Sequence, residues 1–428
     1  MKQTRKGVRW RKLDSSAKLF PIIASKKFSS VFRMSVVLKE KVQPYFLKVA
    51  LDKTLAQYES FKVGLRRGFF WYYLEYNTRP PIISKEEDYP CKYIDRGANN
   101  NYLFKVTYFE EKINIDIFHS LTDGNGAMEF LKELTYNYIE IVHKSDFKNG
   151  YNKREMYVYN NTEDSYIKNY DKKTLKRQKS KRAYIIKGKN LPLYALGVIH
   201  GFVKIEDIKR VSKEYEATIT QYLTAALILA IYNESYVKNI SKKPIKIFIP
   251  VNLKNYFDSD TVSNFFSYIN VDVDLNTKKD VNFQYVLDIV KKEFSEKLNK
   301  ENILKTMSSN TKWGNNFVVK IVPLFIKKVA LKLSFTQISK YSSTTLSNIG
   351  IVRVNEEFEK YIDNFLFLLS TTKVEKTKCS VLSYKEKLVF TFTSSINNCN
   401  IEKKFFKILR DQGINLEIEG NGVYDAIS

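Results

Sequence analysis

The sequence predicts a mixed α/β protein, and three observations carry that prediction. Ile113, Ile115 and Ile117 alternate with Asn114, Asp116 and Phe118, the period-two pattern of a strand with a buried face. Directly behind, Met128, Phe130, Leu131, Leu134, Tyr138 and Val142 recur at helical spacing. The chain has 428 residues, 44% hydrophobic and 14% aromatic, which excludes a disordered chain and suffices for one large core or two ordinary ones.

Between that strand and helix lies Phe118-His119-Ser120-Leu121-Thr122-Asp123-Gly124-Asn125-Gly126. Neutral imidazole is the side chain best suited to accept a proton near pH 7. Asp123, if ionised and paired, is a poor base, and it is expected to shape the loop through hydrogen bonds. Gly124 and Gly126 suit a tight turn, because they adopt backbone angles that residues with a Cβ resist. The chain has only three histidines, and this one stands at a strand-loop-helix junction, where functional groups concentrate.

His119-Ser120-Leu121-Thr122-Asp123-Gly124 resembles the HxxxDG motif of the acyl-CoA-dependent acyltransferase superfamily. That group includes chloramphenicol acetyltransferase, plant acyltransferases, wax ester synthases and peptide-synthetase condensation domains. Within it the sequence is most similar to bacterial alcohol acetyltransferase-like proteins. The resemblance implies two chloramphenicol-acetyltransferase-like halves, each a mixed sheet with helices, and an active-site tunnel at their interface. It also implies acyl transfer from acyl-CoA (acetyl-CoA in the simplest case) to an alcohol hydroxyl, with His119 as general base. Acyl-CoA would be a co-substrate, and neither a permanent cofactor nor a metal is expected. Two alternatives stay open. The donor is a carrier-protein thioester or the acceptor an amine; or the chain is a non-catalytic relative that binds lipid or a membrane surface.

Charge and cysteines bound the partners. Seventy-one Lys and Arg oppose 46 acidic residues, a formal +25. That balance invites a nucleic-acid or anionic-membrane partner. The lysines are spread along the chain without a nucleic-acid-binding module, so nucleic acid is not expected, whereas attraction of polyanionic coenzyme A is. Cys91, Cys379 and Cys399 are odd in number and far apart, which argues for a reducing compartment and buried thiols.

The remaining elements follow in chain order. Met1 to Arg11 is basic without the apolar run of a secretory signal, and no stretch reaches the roughly 18 apolar residues of a spanning helix. A cytoplasmic protein is expected. Trp10-Arg11-Lys12-Leu13-Asp14 with Phe20-Pro21 resembles the family's opening, followed by a strand over 28–38 and a helix over 42–58. Residues 69–76 read as an aromatic strand packed in the core, and 102–108 with 112–118 as a hairpin delivering His119. Periodicity dissolves over 143–183, the expected crossover between an N-terminal half, 1–183, and a C-terminal half, 184–428.

In the second half the expected elements are a strand over 195–204, helices over 205–214 and 218–232, and a strand over 245–250. His200 has no acidic neighbour and reads as a core or edge histidine. Relatives commonly carry arginine where Lys254 aligns, so Lys254 is the implied partner of Asp123, with Arg79 a second choice. Thr261-Val262-Ser263-Asn264-Phe265-Phe266 and Thr344-Thr345-Leu346-Ser347-Asn348-Ile349-Gly350 resemble two further family elements, the first a strand start and the second, with its Ser-Asn pair before a glycine, a turn facing a cleft. They make Asn264, Ser347 and Asn348 the implied substrate or oxyanion contacts. Residues 281–298 read as an amphipathic helix, 379–384 with 387–393 as a hairpin, and 401–412 as the last helix. Residues 317–335 read as a helix kinked at Pro323, with Lys320, Lys327, Lys328 and Lys332 on roughly one side. A core helix with a solvated basic face is the first expectation for it, and peripheral contact with a membrane surface is the second.

Overall fold

The structure is a computed structural model and describes residues 2–3, 9–147, 161–171, 180–236, 241–275 and 280–424. Two large sheets organise it. The first has five strands in the order Ile362–Leu369, Val31–Leu38, Lys112–Phe118, Phe104–Phe109 and Ile83–Lys85. The second has seven: Phe266–Val273, Ile245–Asn252, Thr344–Ile351, Thr377–Tyr384, Lys387–Ser394, Gly197–Lys204 and Leu416–Gly420. A smaller sheet beside the first contains Arg9–Lys12, Tyr72–Tyr76 and Val63–Arg67.

The hairpin ahead of His119 forms as its alternation demands, with Phe104 opposite Ile117 and Val106 opposite Ile115. Its second strand is central in the sheet and buried on both faces. Ile113, Ile115 and Ile117 enter the apolar core. On the other face Asp116 accepts two hydrogen bonds from the Arg33 guanidinium, at 3.0 and 2.6 Å, and Glu86 pairs with the same cation. A fork-to-fork pair of this kind lets a charged residue occupy a strand with no solvent face.

Behind the loop, the helix Gly124–Val142 buries Ala127, Phe130, Leu131 and Leu134 and packs on the helix Pro44–Gln57. Phe130 stacks on Phe61 at 4.2 Å between ring centres. The second sheet has its own core, in which the helices Ile219–Ile231 and Phe283–Lys297 lie together. Thr218 and Gln221 close a capping box at the start of the former. The strand Ile362–Leu369 pairs antiparallel with Val31–Leu38, so a late segment of the chain completes the first sheet. Ser380 of the second sheet donates its hydroxyl to the carbonyl of Phe367, tying that strand back.

Several expectations change. The aromatic strand is shorter, Tyr72–Tyr76, and Phe69 lies outside it, 69% exposed rather than in the core. Pro323 breaks the helix instead of kinking it, giving Phe317–Ile321 and Leu324–Ile338. Lys327 points inward, under the helix, so the four lysines do not share a solvated side. Thr344–Ile351 is a strand with a register shift after Asn348, and Gly350 takes a positive φ of 80°. Of the 143–183 crossover, residues 148–160 and 172–179 lie outside the described residues. Among the described residues no helix is long and apolar enough to cross a membrane.

Candidate active site

Four segments distant in sequence meet at the histidine: residues 14–20, 30–32, 119–126 and 262–266. The His119 backbone N–H donates to the carbonyl of Ser30, fixing the point where the chain leaves the strand. Thr122 donates its hydroxyl to the carbonyl of Val262 at 2.7 Å, and Ser120 donates to that of Ala17. Asp123 is the N-cap of the motif helix. One carboxylate oxygen accepts the backbone N–H groups of Asn125 and Gly126, both at 3.1 Å, and the other accepts that of Phe265 at 2.9 Å. Three donors, two of them at a helix N-terminus, satisfy this buried carboxylate.

Lys254 and Arg79 are therefore not its partners. Lys254 is exposed, with its backbone N–H on Asn252, and Arg79 is exposed beside Asn77 and Tyr102. Neither makes an ion pair with Asp123. A half-buried cation of the region is Arg11, which donates to the carbonyl of Ser60 and lies within electrostatic reach of Asp14. Burial pushes its guanidinium down to about 10, and Asp14 opposes that shift.

The glycines act differently from expectation too. Neither has a positive φ, and both lie in the helix. A Cβ on Gly126 would stand 2.1 Å from Oγ1 of Thr122 and 3.1 Å from the carbonyl of Val262, so close approach dictates glycine there. A Cβ on Gly124 would meet only ordinary contacts, the nearest at 3.5 Å.

The imidazole itself is held on two sides. Phe20 stacks on it at 4.4 Å between ring centres and 10° between planes, while Phe32 presents an edge and Phe266 lies tilted. Nδ1 is 3.0 Å from Oδ1 of Asn264. The Asn264 amide is oriented in turn by Asp14, whose carboxylate accepts its Nδ2 at 3.0 Å and its backbone N–H at 3.3 Å. Asp14 is fixed by the N–H groups of Ser16 and Ala17 and the Ser16 hydroxyl. With Nδ2 committed to Asp14, Oδ1 of Asn264 accepts a hydrogen bond from Nδ1–H, and the lone pair resides on Nε2. Burial lowers the His119 pKa below the ordinary imidazole value, against the opposing charge of Asp123. Burial thus favours the neutral ring.

Asn264 is fully buried and belongs to this scaffold rather than to the cavity lining, in contrast to its expected role in substrate contact. Ser347 and Asn348 do line the same cavity as His119. Asn348 bridges locally, accepting the N–H of Gly350 and donating to the Thr220 hydroxyl. The cavity, about 1710 Å³, runs between the two large sheets. Arg353 and Lys373 lie along it with exposed side chains. Asp14, Phe20 and Phe266 escaped sequence reasoning as site residues. The Asp14-Ser15-Ser16 turn was the one local signal, because an aspartate side chain readily accepts the backbone N–H two residues on in an Asx-turn.

His200 sits elsewhere, 2.9 Å from the Thr391 hydroxyl, with burial lowering its pKa to about 4. The three cysteines are buried free thiols, and burial pushes those of Cys91 and Cys379 up. Among the described residues no group of His, Cys, Asp and Glu could hold a metal ion.

No protein-family model matches the chain, and no curated protein matches it in sequence. Solved structures do match along nearly the whole length. The trichothecene 15-O-acetyltransferase TRI3 of Fusarium sporotrichioides superposes with a TM-score of 0.65 at 10% identity, covering 96% of both chains. TRI101 of F. sporotrichioides, complexed with coenzyme A and T-2, gives a TM-score of 0.63 at 10% identity, covering 95% of this chain and 99% of the other. The starter condensation domain of rhizomide synthetase, in complex with C8-CoA and Leu-SNAC, gives 0.58 at 11% identity, covering 94% and 93%. The chain has the chloramphenicol acetyltransferase-like fold shared by these acyltransferases and condensation domains. In this fold the His119 cavity lies between the two sheet-bearing halves.

Proposed function

We propose that this chain transfers an acyl group from an acyl-CoA thioester to an alcohol hydroxyl, with His119 as general base. The observation that carries the proposal is the Asp14–Asn264–His119 chain of hydrogen bonds, which engages Nδ1 of a histidine that lines the cavity and leaves the lone pair on Nε2. The matched structures complexed with coenzyme A or C8-CoA support the donor class. Nε2 removes the hydroxyl proton as the alcohol oxygen attacks the thioester carbonyl. The tetrahedral intermediate then expels the thiolate, and the imidazolium returns the proton to sulfur, leaving free thiol and ester. Asn264 accepts from Nδ1–H throughout, so the ring gains and loses its proton without turning. The Ser347 hydroxyl is the proposed oxyanion donor, since Asn264 is engaged with His119 and Asp14. Arg353 and Lys373 are the proposed contacts for the coenzyme A phosphates. Residues 1–183 and 184–428 are the proposed halves, with the strand Ile362–Leu369 exchanged into the first.

The test is thiol release from acetyl-CoA and longer acyl-CoAs, followed colorimetrically with panels of alcohols and amines. The proposal expects alcohol-dependent release with ester as product. Amine-dependent release without ester formation contradicts the acceptor assignment. No release with any pair contradicts the transferase.

A further inference from the structure

The helix Leu324–Ile338 turns Lys327 inward and leaves a row of large apolar residues outside. Leu324 and Leu331 pack on Ile22 with Trp71 and Tyr72. Lys327 goes under the helix, 3.9 Å from the centre of the Trp71 ring, and donates to the carbonyls of Phe70 and Lys320. The outward side holds Phe325, 60% exposed, and Leu333, 66% exposed, with Ile326 and Val329 between them. At about 100° per residue these four share one side of the helix, and Lys328 and Lys332 follow its edge. The surface continues on both flanks. Phe317 and Ile321 of the preceding short helix are exposed, and so are Phe69 and Phe70 of the loop whose Phe69 carbonyl accepts the N–H of Leu324. An exposed apolar surface of this extent marks a place of contact.

The charges select the partner. No Asp or Glu occurs between Glu301 and Glu356, and the punctuating polar residues are basic. Lys320, Lys328 and Lys332 make no ion pair among the described residues. Two copies meeting through this surface would oppose like charges, in a chain of formal charge +25. Anionic headgroups complement the lysine edge while the phenylalanines and leucines enter the acyl boundary. The C-terminal turns of the same helix, through Phe335 and Ile338, line the His119 cavity.

We propose that the surface formed by this helix and the Phe69–Phe70 loop seats the protein on an anionic lipid bilayer, with the mouth of the cavity against the membrane. The docking rests on this surface alone and stands apart from the acyl-transfer proposal.

The experiment is co-sedimentation of the full chain with vesicles of phosphatidylcholine, alone or mixed with phosphatidylglycerol. Wild type is expected to sediment with the mixed vesicles, less with neutral ones, and less as salt rises. The double variant Phe325→Asp with Leu333→Asp is expected to bind about tenfold more weakly at an unchanged thermal midpoint. Phe69→Asp, on a separate segment, is expected to act in the same direction. Absence of wild-type sedimentation with mixed vesicles, or binding equal in wild type and both variants, overturns the proposal. So does a wild-type dimer in solution that the double variant dissociates, with no vesicle binding.

Discussion

The motif helix Gly124–Val142 and the helix Leu324–Ile338 both carry apolar residues through their length, yet the fold uses them in opposite ways. The first buries its apolar side between the first sheet and the helix Pro44–Gln57, and Asp123 caps its N-terminus. The second buries Leu324, Lys327 and Leu331, leaves Phe325, Ile326, Val329 and Leu333 outside, and begins at Pro323 with no side-chain cap. The difference teaches that apolar spacing defines sides of a helix but does not say which of them the protein covers with itself. For the first helix the cover is protein; for the second the proposed cover is lipid.

Substitutions can break this comparison. Phe130→Ala is expected to cost about 3–5 kcal/mol in chemical unfolding, since a fully buried ring stacked on Phe61 leaves a cavity. Phe325→Ala is expected to remain within about 0.5 kcal/mol of wild type. Similar losses at the two positions would mean that the outer side of Leu324–Ile338 is packed in solution after all. A finer contrast lies inside the motif. Gly126→Ala is expected to cost about 1–3 kcal/mol through its clash with Thr122 and Val262. Gly124→Ala meets only ordinary contacts, so its unfolding midpoint should stay near that of wild type. Equal effects at the two glycines would contradict the close approach assigned to Gly126.

Local signals made much of the fold legible. The hairpin ending at His119, the helix behind it, the helix Ile205–Glu214 and the hairpin Thr377–Ser394 follow from alternation or helical spacing within single segments. The strand Ile362–Leu369 was not read, because it is buried on both faces near the second sheet and its Phe-Leu-Phe-Leu-Leu run lacks alternation. The candidate site was half legible. His119 and Asp123 stand out as a motif. The orientation of the imidazole depends on Asn264, 145 residues away, and on Asp14, a further 250 from Asn264. Such pairings leave no local pattern. The absence of a cation beside Asp123 has a related cause, since backbone N–H groups satisfy its carboxylate and every residue type except proline supplies them.

The central claim is that His119 Nε2 acts as a general base in acyl transfer. Its most direct test is kcat for alcohol-dependent thiol release in wild type and His119→Ala, alongside acyl-CoA affinity and a pH profile. In the variant kcat is expected to fall by about 10²–10⁴-fold while acyl-CoA affinity is retained. The wild-type acid limb is expected to lie below the ordinary imidazole value near 6.5, because burial disfavours the protonated ring. Activity then rises as pH passes upward through that lowered value and levels off before neutrality. An unchanged kcat in His119→Ala, or an acid limb above 6.5, would contradict the claim.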